Sequence, residues 1–232
     1  MEFSIADNLH LVQTAIAESE RASGRAAGSV ELVAVSKTHP PELIMEAVTA
    51  GQLLFGESKL QEAKAKIPEL PAKVRWHLIG HLQSNKIRQV LPLFELIHGV
   101  DSVELVEEIQ RIAGELGLFP RILLQVNVAG ESSKFGFPPA RLLSEVERIS
   151  LADRVQIEGL MTIPPLASNP ENSRKYFVQL RQLRDKLEEE FRFPLPRLSM
   201  GMSGDYRIAV EEGATLVRVG SAIFGERRTK RE

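Results

Sequence analysis

Cysteine is absent from the 232-residue chain. Its absence removes disulfides, thiolate metal sites and cysteine nucleophiles, and matches a reducing compartment. Tyrosine occurs only twice and tryptophan once, so tyrosine acid–base chemistry has few candidates. No apolar run approaches the roughly 20 residues of a membrane-spanning helix. MEFSIADNLH shows no basic segment leading into an apolar one, so no secretory signal is read. These features predict a soluble, cytoplasmic protein without membrane contact. Formal net charge is -2, and the only basic cluster is the terminal RRTKRE. A nucleic-acid footprint is therefore lacking, and the tail over 226–232 reads as solvated. Neither a Walker pattern nor G-x-G-x-x-G occurs, which removes the usual signals for nucleotide binding.

What is present is alternation. An opening helix within 1–28 carries Leu9, Val12 and Ile16 on one face and stops near Gly24. Short β-rich runs then begin near Leu32, Leu53, Val74, Phe94, Arg121, Val155, Arg197 and Thr215, alternating with amphipathic segments. Eight such units with no low-complexity linker predict a single-domain α/β fold, a TIM (β/α)8 barrel with an extra N-terminal helix. A doubly wound open sheet is the alternative, because periodicity cannot show closure.

In a barrel of this type the active site lies at the C-terminal ends of the strands, and the unusual residues cluster there. LVAVSK ends an apolar run on Lys37. That lysine is either a snorkelling surface side chain or an amine whose charge is suppressed by desolvation, as a Schiff-base nucleophile requires. SMGMSGD, residues 199–205, offers glycines, the Ser203 hydroxyl and free N–H groups suited to a phosphate. It also reads as an ordinary turn with Asp205 capping the next helix. RVGSAIFG, residues 218–225, adds Gly220 and Ser221 after the last strand, where barrels often build a shared phosphate site with the preceding loop. Arg218 either points at a ligand in the lumen or forms an internal salt bridge. His77 and His81 have the i, i+4 spacing of a helical metal pair, but WHLIGH reads as a strand, so no metal site is expected.

LVAVSKTHP, FGESKLQE, WHLIGHLQSNK, KFGF at Lys134, GLMTIPP, LSMGMSGD and VRVGSAIFG occur in this order. Together they resemble the pyridoxal phosphate homeostasis proteins, also called the proline synthase co-transcribed or alanine racemase N-terminal-like family. The resemblance implies one TIM barrel carrying pyridoxal 5′-phosphate (PLP) as an internal aldimine on Lys37. It further implies a phosphate cradle of Ser203, Gly204, Gly220 and Ser221, with Arg218 near the pyridine nitrogen and Met161 beside the ring. Lys134 matches a second family lysine implicated in cofactor exchange. Ser58 departs from the family's FGEN, and its role is left open.

The function this implies is intracellular PLP homeostasis by a monomer without significant turnover. Its partners would be the cofactor, PLP-dependent apoenzymes or a regulatory protein. An amino-acid racemase is the enzymatic alternative. It needs a second acid/base, a tyrosine from a separate β-domain, whereas Tyr176 and Tyr206 both read as helical and the chain ends soon after its eighth strand. A Schiff-base aldolase acting on a phosphorylated sugar would share Lys37 and the phosphate loops.

Overall fold

The computed structural model describes residues 4–131 and 134–226. Helix α1, Ile5–Ala22, starts at a capping box in which the Ser4 hydroxyl accepts from the Asp7 amide and Asp7 accepts from Ser4. Ser23 and the left-handed Gly24 end it. Leu9, Val12 and Ile16 are buried as their spacing predicts. Buried Glu20 accepts from the Gly28 and Val30 amides, which fixes the path from this helix into the barrel.

Eight parallel strands follow: β1 Glu31–Val35, β2 Leu54–Glu57, β3 Arg75–His81, β4 Leu96–Val100, β5 Arg121–Gln125, β6 Gln156–Met161, β7 Arg197–Ser199 and β8 Leu216–Val219. They are joined in sequence order, and β8 pairs with β1 to close the barrel. Closure rules out the open sheet. Between the strands run α2 Pro41–Thr49, α3 Leu60–Lys66, α4 Ile87–Val90, α5 Val103–Leu116, α6 Pro139–Ser150, α7 Arg174–Phe191 and α8 Tyr206–Glu211. A short α9, Ser221–Phe224, follows β8, where the sequence pattern reads as one closing segment. The basic tail beyond Glu226 lies outside the described residues.

Strand periodicity of two sorts the side chains. Phe55, Ile97, Ile122, Leu160 and Val217 face the helices, whereas Val33, Val35, Leu54, Ile79, Leu123 and Leu216 pack inside the lumen. The lumen floor is ionic. Arg75 binds Glu31 at 2.7 Å and Glu95 at 2.6 Å; Arg121 binds Glu95 at 2.8 Å and also Glu158; Arg197 binds Glu158 at 2.9 Å and Glu31 at 3.3 Å. The six residues thus form a closed ring of alternating charge at the N-terminal end of the barrel.

Candidate functional site

Ser36 and Lys37 continue β1 past its last paired residue. Val33 and Val35 lie in the lumen, so the same alternation directs Lys37 to the mouth and Ser36 outward. Lys37 is half-buried and Ser36 fully buried. Thr38, the next residue, has φ 68°, an outlier for a β-branched residue that must be held in place. Its amide donates to Glu62.

Behind this turn sits a group the sequence pattern does not reveal. Lys66 Nζ donates to Ser36 O and Glu57 Oε1, each at 2.8 Å, and to Glu62 Oε1 at 2.5 Å. The Ser36 hydroxyl also donates to Glu57 Oε1, at 2.7 Å. Burial pushes the Glu57 carboxyl above its usual range against the hydrogen bonds from Lys66 and Ser36. Burial opposes the charge of Glu62 too, but the bonds from Lys66 and the Thr38 amide outweigh it and leave that carboxyl below its usual range. The residues on both sides of Lys37 are therefore clamped by one buried ion-paired cluster.

Across the β1–β8 seam, the loops after β7 and β8 meet. Gly201 has φ 90° and no room for a side chain, since an added Cβ would lie 2.5 Å from Ala209 Cβ. Ser203 Oγ accepts from the Gly220 amide at 3.2 Å and the Ala222 amide at 3.3 Å. Two backbone donors from the start of α9 thus converge on one oxygen, the arrangement an anion needs. Gly220 also lies against Lys37's strand: a Cβ there would sit 3.3 Å from Val35 Cβ. Asp205 makes no side-chain cap to α8; its Oδ1 accepts from the Met202 amide at 2.7 Å and closes the glycine turn instead.

Arg218 shares the lumen face of Leu216 and is 4% exposed. Among the described residues no salt bridge holds it. One terminal nitrogen donates to Ser199 Oγ at 2.6 Å and the other to Thr162 O at 2.9 Å. Burial lowers its pKa to about 10, still cationic at neutral pH. Ser199 Oγ lies 2.9 Å from His98 Nδ1, and His98 Nε2 lies 3.0 Å from His77 Nδ1. Burial drops His77 to about 4 and His98 well below its ordinary value, so both rings are neutral. Met161 is fully buried in the lumen cluster.

His77 and His81 sit in separate surroundings: His77 lies in this hydrogen-bond chain, while His81 Nδ1 meets Asp101 Oδ2 at 3.1 Å and its ring stacks on Phe135 at 4.0 Å. No potential metal-binding group of three ligands exists among the described residues. Lys134 pairs with Glu131 at 3.2 Å on the loop after β5. Ser58 lies against Gly80, where a Cβ would come within 2.3 Å of Ser58 O. Lys37, Arg218, the Gly/Ser loops and Met161 thus belong to β1 and β6–β8, and Lys134 to the loop after the neighbouring β5.

The family model described as the alanine racemase N-terminal domain matches residues 13–228. A pyridoxal phosphate homeostasis protein of Aquifex aeolicus is 44% identical over 210 residues, 90% of this chain and 92% of that protein. The chain belongs to the pyridoxal phosphate homeostasis proteins of the alanine racemase N-terminal domain family. PipY of Synechococcus elongatus, a structure with PLP bound, is 44% identical with a TM-score of 0.80, covering 90% of this chain and all of that one. The alanine racemase of Clostridium difficile, 14% identical with a TM-score of 0.68 over 94% of this chain and 60% of its own, shares the barrel fold.

Proposed function

We propose that this chain binds PLP at the barrel mouth and holds it for intracellular homeostasis, without significant turnover of its own. The observation that carries the reading is the Ser203 hydroxyl drawing together the Gly220 and Ala222 amides beside the strand that delivers Lys37. Ser203, Gly204, Gly220 and Ser221 would hold the phosphate, Lys37 Nζ would be the point of covalent attachment, and Met161 would floor the ring. Bound PLP supplies an electrophilic aldehyde and an electron-accepting ring.

Arg218 limits that second property. A guanidinium cannot readily accept a proton, so placed at the pyridine nitrogen it disfavours the protonated ring that makes the strongest electron sink. The racemase alternative needs a second acid/base, and neither tyrosine serves: Tyr176 lies on α7 beneath the Lys175 ammonium, and Tyr206 packs among the helices. His81, paired with Asp101 where β3 and β4 end, is the imidazole that a racemase reading would use. The name of the A. aeolicus relative and the PLP in PipY support the carrier reading.

The test is to load the protein with PLP, reduce with borohydride and map the labelled peptide. The pyridoxyl group is expected on Lys37. A label confined to Lys134 would reject the assignment.

A further inference from the structure

The hydrogen bonds behind Arg218 have a direction. A guanidinium can only donate, so the Ser199 oxygen accepts at 2.6 Å. The single Ser199 proton then has His98 Nδ1, 2.9 Å away, as its acceptor. A neutral His98 that accepts at Nδ1 carries its proton on Nε2, and that N–H donates to His77 Nδ1 at 3.0 Å. The opposite His98 tautomer would aim two donors at Ser199 and leave the serine proton without a partner, a costly arrangement in a sealed lumen. Thr162 O takes the other terminal nitrogen of Arg218 at 2.9 Å. Anchors on both terminal nitrogens define the plane of the guanidinium, which one anchor on a long side chain could not do.

We propose that Ser199, His98 and His77 are positioning residues for Arg218: a one-way hydrogen-bond chain across the barrel that fixes the guanidinium plane and presents its remaining N–H groups to the cofactor's ring nitrogen. The proposal rests on the assignment of Arg218 to that nitrogen. It extends the PLP site from the mouth down to strands β3 and β4, which the cofactor itself need not touch. The chain cannot be replaced by shape alone, because an apolar residue at His98 would leave the serine proton, and hence the serine's orientation toward Arg218, undetermined.

The experiment uses the full chain loaded with PLP labelled at the pyridine nitrogen, and reads that nitrogen's NMR shift together with the affinity for PLP and the melting temperature. Ser199→Ala and His98→Phe should both move the nitrogen signal toward its protonated position, because water replaces a cation no longer held in register. Affinity should fall by about tenfold, the order expected for one hydrogen bond to a charged group. Ser199→Thr, which keeps the hydroxyl, should restore the wild-type signal. Arg218→Gln separates the two ideas. If it moves the signal while Ser199→Ala and His98→Phe leave it in place, the positioning role is wrong and the Arg218 assignment stands. If Arg218→Gln itself leaves the signal unmoved, the assignment fails and the chain's proposed purpose fails with it. Should His98→Phe not fold, Ser199→Ala and Ser199→Thr decide the matter, since they alter the chain by one hydroxyl.

Discussion

At the scale of single residues, Lys37 was legible because a charge at the end of an apolar run is costly and conspicuous. His98 carried the same kind of signal, a polar residue inside ELIHGV, but its partner Ser199 lies 101 residues away and no local pattern joins them. Glu57 is hidden for a related reason: its partner Lys66 lies in a helix whose other lysine, Lys64, faces solvent. Buried neutral imidazoles have a thermodynamic consequence. His77 falls from 6.5 to about 4, with burial as the main cause. Between those values the unfolded chain binds the proton and the folded one does not, so stability is lost as pH drops from about 6.5 toward 4. The full shift is worth about 3 kcal/mol. Urea midpoints measured across this range should fall for the wild type, and fall less steeply for His77→Gln; equal slopes would mean that His77 does not titrate this way.

At the scale of elements, all eight strands begin within two residues of the positions read from the sequence, because each lies in an apolar run bounded by turn residues. The closing segment was less legible. TLVRVGSAIFG is mostly apolar and carries no proline, yet it divides into β8 and α9 at Gly220, where the chain turns against Val35. That close approach makes Gly220 a point at which strand packing and ligand binding meet. Gly220→Leu would push its side chain into Val35 and disturb the two amides gathered on Ser203. Affinity for PLP should fall at least tenfold, while pyridoxal, which lacks the phosphate, should lose far less. Parallel titrations with the two ligands check this, and equal losses would place the phosphate elsewhere.

At the scale of the molecule, barrel closure could not be read from periodicity, since the β1–β8 pairing joins the two ends of the strand series. The same limit hid His81 and Asp101, whose strands are neighbours only in the folded sheet. That pair makes the question of turnover experimental. A general acid or base typically contributes ~10²–10⁴ in rate, so a mouth with one lysine and a cationic Arg218 should exchange the α-hydrogen of amino acids slowly. Incubation of the loaded protein with L- and D-alanine in deuterated water, followed by mass and chirality, should show turnover well below about 1 per second, the low end for enzymes. Faster exchange, abolished by His81→Phe, would favour the racemase.

The ring beneath the lumen also bears on how the chain is made. Glu31, Arg75, Glu95 and Arg121 leave the ribosome in that order, followed by Glu158 and last by Arg197. Until Arg197 emerges, Glu31 and Glu158 each lack one of their two cationic partners. Its arrival joins β7 to β1, so the floor becomes electrically complete only once the seventh strand has been made. The loops after β7 and β8 and Arg218 follow within the next stretch of chain, so these parts of the barrel mouth are supplied long after Lys37 and Met161.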